Sequence, residues 1–108
     1  MHQFIPEGTI TSVRGFKAAG IFCGIKKQKK DIALIYSDKP CSAAGTFTLN
    51  KVVAAPNVIS KNIIKQQGKV RTILVNSGNA NACTGAIGFE NALASQSYSC
   101  KKIVYQSF

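Results

Sequence analysis

Two side chains with nucleophilic atoms, Cys83 and Thr84, stand next to each other in a segment rich in glycine, asparagine and alanine. A thiol or a hydroxyl becomes an efficient nucleophile when a neighbouring base accepts its proton. The only histidine, His2, lies at the other end of the sequence, and no carboxylate stands close to Cys83 along the chain. Cys83 is therefore a weak candidate for covalent catalysis, and the sequence pattern assigns no catalytic residue.

Cysteine side chains can bind a metal ion or form disulfides. A zinc site needs about four nitrogen or sulfur ligands at short spacings, and the chain has no C-x-x-C pair. The pattern therefore predicts no metal site and no cofactor site. A disulfide framework is allowed by the count alone, but free and mostly buried thiols are the preferred interpretation for the four cysteines Cys23, Cys41, Cys83 and Cys100.

The net charge is +10, from 14 Lys and Arg against 4 Asp and Glu. Such a charge suggests a nucleic-acid partner, and basic residues do cluster at Lys26–Lys30 and Lys61–Arg71. However, no aromatic residues alternate with them to provide a stacking platform. The first cluster lies between two apolar segments, where a solvated hairpin turn is the ordinary explanation. We expect no specific nucleic acid as a partner.

No apolar run approaches the roughly 20 residues that are needed to cross a bilayer. The first residues, Met1–Glu7, lack the basic region and apolar stretch of a signal peptide. We therefore expect a soluble, cytoplasmic protein without a membrane partner.

The alternation of apolar and turn-forming residues predicts mostly strands with little helix. The predicted strands are Ile10–Val13, Gly20–Ile25, Asp31–Ser37, Ala43–Leu49 and Val70–Asn76. Several of them are apolar enough to be covered on both faces, yet the chain offers few elements that could cover them. The pattern therefore indicates that part of the core is not supplied by this sequence.

The remaining segments are less regular. Val52–Ser60 contains Pro56 and is predicted to be extended, and Lys61–Gln67 is predicted to form one or two helical turns that end at Gly68. Phe89–Leu93 is predicted to begin a helix, and no clear period follows it.

The segment Asn76–Gly85 is predicted to be a tight structural loop that follows a strand. Gly78 and Gly85 permit positive φ, and the asparagines are expected to bond mainly to nearby backbone groups. Small side chains throughout the segment allow another backbone or a ligand to come close.

The string NSGNANACTG, which follows the apolar strand TILV, closely resembles a signature of the ornithine/glutamate N-acetyltransferase family of arginine biosynthesis. The resemblance covers about residues 9–92. Other matching blocks occur in the same order, at Gly15–Gly20, Asp31–Ile35 with Ser37–Asp38, Ala43–Thr48, Asn50–Val52 and Ala54–Pro56.

The resemblance implies a partial α+β fold of the layered DmpA/ornithine-acetyltransferase type. It implies an enzyme that transfers an acetyl group from N-acetylornithine to glutamate, with acetyl-CoA as a further donor in some members. The family precursor cleaves itself before a threonine, which becomes the nucleophile of the second, β chain. Two copies of each chain then form a heterotetramer.

The resemblance implies that residues 1–93 are the N-terminal part of the α chain, and residues 94–108 are a tail outside the family pattern whose composition allows disorder. Neither the oxyanion Thr-Gly pair of the family nor its cleavage-site threonine is found, so the chain is expected to be an inactive fragment. No catalytic, cofactor-binding or metal-binding residue is carried over. Two alternatives stay open: a non-enzymatic interaction module, and a small basic nucleic-acid-binding protein.

Overall fold

A computed structural model of the protein describes residues 2–105. Three antiparallel strands form one sheet in the order β1-β2-β3, and two helices accompany it, which confirms the predicted α+β class. After a 3₁₀ turn at Ile10–Ser12, the elements in chain order are β1 (Phe16–Ile21), β2 (Ile32–Ser42), α1 (Ala55–Gln67), β3 (Lys69–Asn76) and α2 (Gly85–Tyr105).

The first two strands form a hairpin, with Ile21 opposite Ile32 at the end where the chain turns. The lysine-rich segment Lys26–Lys30 lies in the connection between them, as the sequence predicted. The predicted strand Gly20–Ile25 is wrong over most of its length, because β1 begins at Phe16 and shares only Gly20 and Ile21 with it. After Ile21 the Asp31 carboxylate accepts hydrogen bonds from the Cys23 and Ile25 N–H groups, which holds this part of the chain in a turn.

The central strand β2 is longer than predicted. It continues past the predicted end at Ser37 to Ser42, with a register irregularity between Tyr36 and Cys41 after which pairing with β3 resumes. β3 lies along β2 with Leu74 opposite Leu34, so the most apolar predicted strand is confirmed as a sheet strand.

Two other predicted strands are wrong. Ile10–Val13 contains a 3₁₀ turn, in which the Ser12 hydroxyl accepts a hydrogen bond from the Thr9 N–H. Ala43–Leu49 leaves the sheet after the Ala43 N–H donates to the Gly68 carbonyl. Without further partners for its backbone, that segment adopts no regular element.

The prediction that Val52–Ser60 is extended is also wrong, because helix α1 begins at Ala55. Pro56 falls in the first helical turn, where its missing N–H has no helical partner to lose and its φ already suits a helix. The predicted end is confirmed: Gly68 has φ 62° and its N–H donates to the Ile64 carbonyl.

Helix α2 begins before the predicted Phe89–Leu93 start and is longer than the sequence indicated. The serines in this segment made the helix hard to predict, since serine often favours turns over helix interiors. The Ser95 hydroxyl donates to the Asn91 carbonyl and the Ser99 hydroxyl to the Gln96 carbonyl, so these groups are satisfied within the helix. The last three residues of the predicted tail, 106–108, lie outside the described residues.

Little of the apolar surface is covered. Ile59 is the one buried apolar side chain in the described part of the chain, while Leu49 is 99% exposed and Ile87 72% exposed. The cysteines are free, but the prediction that most are buried is wrong: Cys41 is half-buried and the other three are exposed. The strand pattern predicted a second layer of structure over the sheet, and no such layer covers these cysteines among the described residues. No helix of the described residues combines the length and apolar character that crossing a membrane requires.

Candidate functional site at the asparagine loop

The segment 76–85, the asparagine loop, connects the end of β3 to the start of α2. Gly78 has φ 94° and Gly85 has φ 62°, so the predicted positive angles are confirmed. Cys83 also has positive φ, at 57°, a backbone conformation that is uncommon for a residue other than glycine. The loop therefore makes two sharp changes of direction within ten residues.

The asparagine side chains bond to one another. Asn81 donates to the Asn76 side-chain oxygen at 2.7 Å, and its own side-chain oxygen accepts from Asn79 at 3.1 Å. The prediction that they bond mainly to nearby backbone is therefore wrong. The loop brings the three amides together, and an amide can donate and accept at once, so they satisfy each other and close the loop.

The loop is tied to the β1–β2 turn through Asp31, which is only 2% exposed. The Asp31 carboxylate accepts hydrogen bonds from the backbone N–H groups of Cys23 at 2.8 Å, Ile25 at 2.7 Å and Lys26 at 3.0 Å. The Asp31 carbonyl accepts from the Ser77 N–H at 2.8 Å. One residue thus holds both the lysine-rich turn and the first residue after β3.

Burial alone would raise the pKa of the Asp31 carboxyl. The hydrogen bonds from the N–H groups of Lys26, Cys23 and Ile25 outweigh it and hold that pKa well below its usual range. The carboxylate is therefore ionised at neutral pH, and its oxygens are occupied by these backbone hydrogen bonds. It is not available as a general base.

A cleft of about 310 Å³ opens beside the loop. Cys83 and Thr84 line it together with Lys51, and most of its other lining residues are apolar: Val52, Val53, Ala55, Val58, Gly85 and Phe89. No carboxylate or imidazole lines this cleft in the part of the chain that the structure describes. The cleft therefore presents nucleophilic atoms without a carboxylate or imidazole base to activate them.

Cys23 is no better as a nucleophile, because the hydrogen bond with the Asp31 carboxylate raises the pKa of its thiol. Within residues 2–105, no group of three or more His, Cys, Asp or Glu side chains is arranged to hold a metal ion.

Asp31 is the residue that sequence reasoning missed, although one signal was available. It is a lone acid between a run of lysines and an apolar strand. An acidic residue in this position is usually predicted to be exposed to solvent. Only the fold shows that backbone N–H groups donate to its carboxylate.

The sequence profile described as the ArgJ family matches residues 17–107. The chain belongs to the ArgJ family. This confirms the resemblance that the ordered sequence blocks predicted.

Relatives from several bacteria support the assignment. The arginine biosynthesis bifunctional protein ArgJ of Streptococcus thermophilus (strain CNRZ 1066) is 48% identical over 97 residues, which cover 90% of this chain and 24% of that protein. The protein of the same name from Shouchella clausii is 51% identical over 87 residues, which cover 80% of this chain and 21% of the relative. The chain thus spans about a quarter of the length of these ArgJ relatives.

Solved ArgJ structures share the fold. The crystal structure of ArgJ from Bacillus halodurans superposes with a TM-score of 0.85 at 41% identity, covering 89% of this chain and 50% of that one. Ornithine acetyltransferase from Mycobacterium tuberculosis, solved in complex with ornithine, superposes with a TM-score of 0.75 at 42% identity, covering 80% and 45%. The ArgJ profile match and helix α2 both cross the boundary predicted at residue 93. That boundary gains no support and stays a prediction.

Proposed function

We propose that this chain is part of a bifunctional arginine-biosynthesis enzyme that transfers an acetyl group from N-acetylornithine, or from acetyl-CoA, to glutamate. The observation that carries the proposal is the ArgJ family match over residues 17–107. Support for the substrate class comes from the ornithine bound by the Mycobacterium tuberculosis relative.

In this proposal the chain supplies framework, and the reacting groups belong to a complementary β chain. The cleft supports this division, since Cys83 and Thr84 have no carboxylate or imidazole beside them in it. The exposed apolar residues support it as well, because such surface is normally covered by a partner. The assembled enzyme is proposed to be a cytoplasmic heterotetramer, and the chain alone to be inactive.

The test compares this chain with an assembled enzyme. We expect no acetylglutamate when the purified chain is incubated with N-acetylornithine and glutamate and the products are followed by mass spectrometry. We expect turnover when it is co-expressed with the portion of the Streptococcus thermophilus relative that it does not match. A Cys83→Ala change should leave that turnover within about twofold, since an unactivated thiol contributes no covalent step.

Two results would contradict the proposal. One is turnover by the isolated chain that persists through repeated purification. The other is a co-expressed pair that assembles, as judged by co-purification, and yet transfers no acetyl group.

The charge of +10 supports one alternative function, binding of nucleic acid. We expect any such binding to be weak, independent of sequence, and reduced at least about tenfold between 50 and 200 mM salt, because phosphate neutralisation releases counterions. Fluorescence anisotropy with several labelled oligonucleotides measures this. Sub-micromolar affinity for one preferred sequence at the higher salt would favour the nucleic-acid-binding alternative.

A further inference from the structure

We draw no further inference here: the strongest candidate, the cleft beside the asparagine loop that Lys51 and the first residues of helices α1 and α2 line, belongs to the site already described, and nothing in the structure shows what covers its apolar lining.

Discussion

Replacing Asp31 with Asn is expected to lower the unfolding midpoint temperature by about 10 °C. This is a large loss of stability for a single substitution. One Asp31 oxygen accepts from the Cys23 N–H and the other from the N–H groups of Ile25 and Lys26. An amide keeps only one acceptor oxygen. Its NH₂ group would face one or two backbone donors in a buried position, and those donors would lose their partner.

The same residue is expected to make stability depend on pH in acid. The pKa of the folded-state carboxyl lies below that of the unfolded chain, which is about 3.9. Between these two values the unfolded state binds a proton that the folded state does not, so stability increases with pH. The contribution of Asp31 is therefore fully present above about pH 5 and is lost as pH falls below about 4.

Asp38 provides the matched control. It forms a surface ion pair with Lys17 at 3.0 Å, and its side chain is 48% exposed. Exposed pairs contribute little, so Asp38→Asn should lower the midpoint by no more than about 4 °C. Thermal unfolding by circular dichroism between about pH 2 and pH 7 should show a shallower acid slope for Asp31→Asn than for the unaltered chain or Asp38→Asn. Equal midpoints for the two variants would show that Asp31 does not organise the turn.

Replacing Gly78 with Ala is expected to destabilise the chain by about 1–2 kcal/mol, and replacing it with Val by more. Gly78 has φ 94°, where a residue with a side chain is strained. A Cβ there would also lie 2.6 Å from Lys26 Cγ and 3.4 Å from Ile25 Cγ2. The substitution therefore pushes the asparagine loop away from the lysine-rich turn.

Gly20 provides the comparison for this prediction. It lies within β1, and an added Cβ would meet its neighbours at ordinary distances, 3.4 Å to Lys30 Cδ and 3.7 Å to the Ile32 carbonyl oxygen. Gly20→Ala should therefore be neutral or slightly stabilising, since alanine restricts the unfolded chain. Urea unfolding of the three variants measures the difference. A Gly78→Val midpoint equal to that of the unaltered chain would contradict the assigned role of the loop.

Family membership, the α+β class and the apolar strand at Val70–Asn76 could be predicted from the sequence. These depend on local order: an apolar run of β-branched residues before a glycine–asparagine turn has few alternatives, and ordered blocks identify a family without coordinates. The positive φ at Gly78 was accessible for the same reason, because only a few residue types tolerate such a turn.

Only the tertiary structure decided the first half of helix α1, from Ala55 to Ser60, the role of Asp31 and the pairing of the loop asparagines. Pro56 is compatible with an extended segment or with a first helical turn, and in the helix Ile59 is buried. From the sequence alone, Asp31 and the lysines beside it are predicted to form a charged surface turn. In the folded hairpin three backbone N–H groups donate to the Asp31 carboxylate. The Asp31 carbonyl also accepts from the Ser77 N–H, and this contact joins two segments that are distant in sequence.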